Sequence, residues 1–308
     1  MPFLSYILKR ALQALLVMIV VTLFVSFAIR LTGDPAVMML SQSVNSTGED
    51  LARIREAMGL DRPFHVQYLD FIRGLLTGDL GTSFFRGPVA PLIERALPAT
   101  LLLAATSLVV SVLISIPLGI YAATHRGSFA DQVIRIVSLV GLSFPNFWLG
   151  IMMVLLFSVT LRWLAPSGFT GPQSLIMPAA TVGIILTATN LRIVRTTMLE
   201  VLSAQFIMVA RAKGLSERQV IYKHALRNSS IALVTYLGLQ FGGLMGGIVV
   251  VELVFGWPGM GTLAIDAIAQ RDYPILQAVI SILAVLIVGV NLLVDLTYAV
   301  LDPRIRLE

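Results

Sequence analysis

Between Val209 and Asn228 the sequence reads VARAKGLSERQVIYKHALRN, with Arg211, Lys213, Glu217, Arg218, Lys223 and Arg227 gathered around one glycine, Gly214. Cations at that density can pair with a partner's carboxylates or with lipid phosphates. Groups that make and break bonds are missing from the chain. A P-loop requires Gly-Lys followed by Ser or Thr, and the three lysines, Lys9, Lys213 and Lys223, are followed by Arg, Gly and His. There is no cysteine, so disulfides and thiolate metal sites are excluded. The three histidines stand apart at 65, 125 and 224, a spacing from which no metal cluster is expected. Neither a Ser nucleophile elbow nor a His-Glu-x-x-His pair occurs. What these residues offer is recognition, not catalysis.

Local signals shape this stretch into two helices. Met198, Leu199, Val201, Leu202, Phe206, Val209 and Ala210 recur at helical spacing, which predicts a helix running to Lys213. Gly214 is placed to end it, and Arg211 and Lys213 fall in the last turn, where the helix dipole favours cations. Ser216 with Gln219 three residues later reads as a capping box that starts a second helix. Composition by itself favours an amphipathic loop lying on anionic headgroups. The glycine break speaks for a compact knob that fits a partner's groove, because a surface-lying helix needs no break.

The elements that hold this loop are membrane spans. Charged residues make up 13% of the 308, and 57% are hydrophobic. With a mean hydropathy of +0.88, there is too little polar surface to coat a soluble domain, which carries about 25% charge. The net charge of +5 suggests nucleic acid less than it suggests cytoplasmic loops rich in Lys and Arg. Six apolar runs are long enough to cross a bilayer as helices: Ala11–Ile29, Ala99–Ala123, Ile136–Leu161, Leu175–Leu191, Ile231–Val251 and Ile275–Val294. With both termini cytoplasmic, the inner segments carry thirteen of the 22 basic residues, from Lys9 and Arg10 to Arg304 and Arg306, against Arg162 and Arg271 in the short outer loops. The reading is an all-α integral membrane protein of six transmembrane helices. It divides into an N-terminal helix (1–31), an extracytoplasmic segment (32–98) and a five-helix core (99–308) with its cytoplasmic loop at about 195–230. Within the outer segment, LARIREAMGL (51–60) suits a short amphipathic helix.

A few residues inside the spans invite a role. Gly238/Gly242, Gly242/Gly246 and Gly243/Gly247 are small-xxx-small pairs; packing within one bundle and a place on a substrate path or subunit interface stand level as explanations. Pro145-Asn146 interrupts the third span, and a kink satisfied by neighbouring helices is favoured over substrate contact by Asn146. Glu252, beside FGWPGMG (255–261), reads as structural, either hydrated or bonded to that turn. Asp295 carries the same ambiguity, and His224 reads as a helix-face residue.

The segment ARAKGLSERQVIYKHALRN (210–228) resembles the cytoplasmic signature loop of membrane subunits of binding-protein-dependent ABC importers. It is most similar to the B-type permease of the oligopeptide, dipeptide and nickel family. GLDRPFHVQY (59–68), GDLGTSF (78–84), PATLLLA (98–104), SFPNFWLG (143–150), VVVELVFGWPGMG (249–261), RDYPILQA (271–278) and LDPRIR (301–306) resemble the same family in order along the chain. The usual Glu-Ala-Ala start is replaced by Met208-Val209-Ala210, and Arg227 stands where a proline is usual. The resemblance implies an ABC type I importer permease fold in the bacterial cytoplasmic (inner) membrane. It also implies a docking loop for an ATPase at Ala210, Arg211, Ala212, Lys213, Gly214, Leu215 and Ser216. Further implied are a homologous second permease, two ATP-binding subunits that hold ATP and Mg, and an extracytoplasmic solute-binding protein, with no cofactor in this chain. Gly242, Gly243, Gly246 and Asn146 are the candidates for the translocation path. Di- or oligopeptides are the expected substrate, and nickel or a nickel chelate is the alternative. A self-sufficient secondary carrier is the alternative of another class; the absence of charges at the centres of the spans counts against it.

Overall fold

The computed structural model describes residues 2–31, 33–41 and 48–301. Arg304, Arg306 and all but the first residue of LDPRIR lie outside the described residues, as does the side chain of Asp295. The helices are α1 (Pro2–Arg30), α2 (Pro35–Ser41), α3 (Gly48–Ala57), α4 (Phe64–Thr77), α5 (Val89–Thr124), α6 (Phe129–Ser143), α7 (Asn146–Met153), α8 (Ile176–Leu202), α9 (Gln205–Ala212), α10 (Leu226–Gly247), α11 (Val249–Phe255), α12 (Met260–Gln270) and α13 (Tyr273–Leu301). A two-residue hairpin, β1 (Thr82–Ser83) with β2 (Gly87–Pro88), precedes α5. The chain forms two compact units. One comprises Met1–Thr100 with Pro258–Leu292, the other Leu101–Trp257 with Leu293–Glu308.

Four continuous helices are long and apolar enough to cross a bilayer: those of α1, α5, α8 and α13. The third expected span is bent within its length, and the fifth is entered through a bend at its first residue. After Ser143 the chain leaves α geometry at Phe144 (φ −90°, ψ 130°) and Pro145, and α7 departs from the direction of α6 by 99°. Proline forces its predecessor out of the α region, so Ile136–Leu161 cannot be one straight rod. Residues Gln219–Ala225 form a π-helical turn ahead of α10, and the axis bends by 47° between Gln219–Ser230 and Ala232–Gly247. The fourth span continues eleven residues beyond Leu191 in α8. Arg192 and Arg195 mark the limit of the apolar run, but charge does not break a helix.

In the first unit, Thr22, Val25, Ser26 and Ile29 of α1 are buried at i, i+3, i+4 and i+7. Leu12, Leu16, Leu23 and Phe24 on the rest of α1 stay exposed, as a lipid-facing surface requires. The buried stripe joins a core with Val89, Ile93, Met260, Leu263, Tyr273, Ile275 and Val279. The outer helices start and stop where the sequence signals place them: Asp34 Oδ1 accepts from Ala36 N at 2.9 Å ahead of α2, and α4 ends on Gly78 with φ +81°.

In the second unit, two close approaches fix the direction of α5 against α8. A Cβ on Gly183 would sit 2.9 Å from Val110 Cγ1, and one on Gly119 2.6 Å from Val194 Cγ1. Contacts 110/183 and 119/194 ascend together, so the two helices run parallel. Asp131 meets Arg195 while Gly141 meets Ala188, so α6 runs antiparallel to α8. The α5–α6 junction and the end of α8 therefore lie at the same end of this unit, which is also where α9 begins.

Candidate functional site

The helix expected to run unbroken to Lys213 stops at Leu202. Ser203 N is shared between Leu199 O (3.2 Å) and Glu200 O (3.3 Å), its Oγ donates back to Glu200 O at 2.7 Å, and Ala204 is extended (φ −72°, ψ 149°). A bifurcated N–H and a side chain competing for its own helix's carbonyl are the marks of a terminus. The eight residues of α9 follow as a separate helix.

That helix is pinned on one face and bare on the other. Ile207 is 0% exposed and Ala210 7%, and they pack with Val220 and Ala225 of the returning helix against Ile120, Val194 and Met198. On the bare side, Met208 is 69% exposed, and Phe206 and Val209 are also exposed. Gly214 reverses the chain at φ +78°, a conformation that costs an L-residue roughly 1–2 kcal/mol. The capping box is present as read: Ser216 N donates to Gln219 Oε1 at 3.2 Å and Gln219 N to Ser216 Oγ at 3.4 Å. Across the turn, Arg211 grips Glu217 with a two-pronged pair, Nε–Oε1 at 2.7 Å and Nη2–Oε2 at 3.2 Å. Of the seven docking candidates, Arg211, Ala212, Lys213, Gly214 and Ser216 are exposed and Leu215 is half-buried. Ala210 is a foot of the loop, not part of its tip. Among the described residues Lys213 has no ion-pair partner, whereas Arg211 is already engaged.

The glycines of α10 divide by face. A Cβ on Gly238 would lie 2.4 Å from Val294 Cγ2, so Gly238 serves packing inside the chain. Gly242 is buried as well. Gly243 and Gly246, with Gly247, are exposed, and a Cβ on any of them meets nothing within 4 Å. Asn146 is half-buried at the first position of α7. Glu252 is fully buried, which corrects the hydrated alternative for it.

Two polar constellations escaped the sequence reading. Asn190 Nδ2 donates to Ser111 Oγ (2.8 Å) and to Gln240 Oε1 (3.0 Å), tying α5, α8 and α10 together, while Asn190 Oδ1 stays buried without a hydrogen-bond partner. Ser107, Ser111 and Ser115, all buried at a spacing of four, were the available signal. The second is Asp131, whose oxygens take Arg195 Nε at 2.7 Å and Nη2 at 2.9 Å. Gly127 N also donates to Asp131 at 3.0 Å. Asp131 is the only acidic residue between Glu94 and Glu200, a singularity that could have flagged it.

Known proteins resemble this chain over nearly its whole length. Residues 115–307 match the family described as binding-protein-dependent transport system inner membrane component, and residues 3–104 match the N-terminal family of the same systems. The glutathione transport system permease protein GsiC of Salmonella choleraesuis (strain SC-B67) is 40% identical over 305 residues, covering 98% of this chain and 99% of that one. The GsiC protein of Escherichia coli (strain K12) is 39% identical over the same length. Among solved structures, the inward-facing MetNI methionine ABC transporter aligns with a TM-score of 0.58 at 20% identity, over 68% of this chain and 96% of that one. An amino acid ABC transporter determined with histidines aligns at 0.52 and 17% identity, over 67% and 92%. At those identities the two structures show the fold. ATP hydrolysis in such systems belongs to separate subunits, and a self-sufficient carrier is ruled out by the family. The chain thus belongs to the inner-membrane component family of binding-protein-dependent transport systems, as a multi-pass, all-α permease subunit of an ABC importer with the type I fold.

Proposed function

We propose that this chain forms half of the translocation path of an importer for peptide-class substrates, glutathione among them, and that residues 210–216 dock it to an ATP-hydrolysing subunit on the cytoplasmic side. The observation that carries the docking assignment is the division of α9 into a pinned face and a bare face. A push on the exposed tip at Ala212–Gly214 is passed to Ile207 and Ala210, and through them to α5, α8 and α10. The partners are a homologous permease, two ATP-binding subunits with their nucleotide and Mg, and an extracytoplasmic binding protein. Full-length similarity to glutathione permeases supports the peptide class, since glutathione is itself a short peptide. Gly243 and Gly246 face the path or the second permease; both are exposed, and among the described residues nothing lies within 4 Å of a Cβ at either.

Gentle extraction of the tagged chain from its native membrane tests the docking. A second permease and ATPase subunits should co-purify, and Gly214→Trp or Lys213→Glu should release the ATPase while the permease pair stays intact. Recovery of the chain alone, or ATPase retention in both variants, refutes the assignment. Uptake of labelled glutathione, dipeptide and nickel by cells with and without the gene decides the substrate. Nickel uptake without peptide uptake would reverse the choice.

A further inference from the structure

We propose that the cavity between α6 and α8 is a binding site for the headgroup of an anionic phospholipid. The cavity measures about 500 Å³ and is lined by Arg126, Arg135, Arg192 and Arg195 with one acid, Asp131. That acid is spent: it is 1% exposed, and its oxygens are committed to Arg195 and to Gly127 N–H. Four arginines against one carboxylate leave a net lining charge of +3. Among the described residues, Arg126, Arg135 and Arg192 have no ion-pair partner, and all three are exposed. Guanidinium groups converging on one space suit a phosphate, whose oxygens accept two parallel N–H bonds from each fork.

The rest of the lining indicates that the phosphate belongs to a lipid. Because α6 and α8 are antiparallel, the cavity runs in one direction from Arg126 and Arg195, past Arg135 and Arg192, to Leu139, Leu142 and Leu191. Arg135 to Leu142 covers seven residues of helix, about 10 Å, so charge gives way to hydrocarbon over the length of a headgroup and glycerol. On the cavity face itself, Leu139 is 56% exposed and Leu142 is also exposed, a surface for acyl chains. A soluble anion would use the arginines and leave the leucines bare. Basic pockets between membrane helices are sites where anionic headgroups lodge. Leu199 also lines the cavity, four residues before the α8–α9 break, so an occupied site braces α6 against α8 next to the docking loop. The site follows from membrane embedding and does not depend on what the loop docks to.

The test uses the intact transporter in mild detergent, stripped of lipid and titrated with phosphatidylglycerol, phosphatidylcholine or glycerol 3-phosphate, with bound molecules counted by native mass spectrometry. Wild type should hold one phosphatidylglycerol that the triple variant Arg126→Gln/Arg135→Gln/Arg192→Gln binds on the order of 100-fold more weakly, since each surface cation contributes several-fold. The corresponding triple Lys variant should keep most of the affinity. Arg195 stays in place because it holds Asp131. Equal retention of phosphatidylglycerol by wild type and the Gln variant overturns the site. Equal binding of phosphatidylcholine overturns recognition by charge. Glycerol 3-phosphate binding as tightly as the lipid makes the ligand a soluble phosphate and overturns the lipid assignment. Loss of the ATPase subunits from the Gln variant while phosphatidylglycerol stays bound assigns the arginines to a protein interface, which also overturns it; the docking reading has its own variants at Lys213 and Gly214.

Discussion

At the scale of single residues, Asp131 and Arg195 are the most buried ion pair among the described residues. Taking away one partner of a buried ion pair strands the other, at about 3 kcal/mol for a pair in which the arginine keeps some exposure. Asp131→Ala should therefore lower the melting temperature of the detergent-solubilised complex more than the double variant Asp131→Leu/Arg195→Leu, which strands nothing. A double variant less stable than the single one would contradict this. The pair also shows what a sequence can and cannot disclose. The Ser216–Gln219 box was legible because both partners lie within one turn. Asp131 and Arg195 are 64 positions apart, and only the fold makes them neighbours.

At the scale of elements, the two faces of α9 make opposite predictions. Ile207→Ala removes a fully buried side chain and should destabilise the protein by about 2–4 kcal/mol. Phe206→Ser with Met208→Ser should leave the melting temperature unchanged and weaken retention of the ATPase on an affinity column. A stability loss from the exposed pair, or unaltered retention, would count against the docking face. The glycines of α10 give a second contrast. Gly238→Ala drives a methyl into Val294 and should cost roughly 1–3 kcal/mol. Gly243→Ala has open space in its own chain, so any loss it causes should appear in transport or permease pairing and not in the fold. Periodicity found these helices, but the break at Ser203–Ala204 was not legible, because neither proline nor glycine marks it.

At the scale of the whole molecule, hydrophobic content identified the membrane and the six apolar runs, and four of those runs are continuous helices. The bends were less accessible: Pro145 announced one, while the bend between Ser230 and Ala232 has neither proline nor glycine to mark it. Orientation rests on thirteen of 22 basic residues, and the cysteine-free sequence makes it easy to check. A thiol introduced by Lys213→Cys should react with a membrane-impermeant maleimide only in inverted vesicles, and one at Asp61→Cys only in intact spheroplasts. The opposite pattern would invert the topology. The two-unit division was invisible from sequence, because it joins Met1–Thr100 to Pro258–Leu292 across the other unit. That joining has a consequence for biosynthesis. Val25, Ile29 and Val89 wait for Met260, Ile275 and Val279 to complete their core. At about 5–20 residues per second the ribosome needs roughly 8–30 s to cross the intervening stretch. Throughout that interval the first hundred residues are translated but lack their packing partners, which makes the nascent chain, rather than the finished one, the form most exposed to proteases and insertion factors.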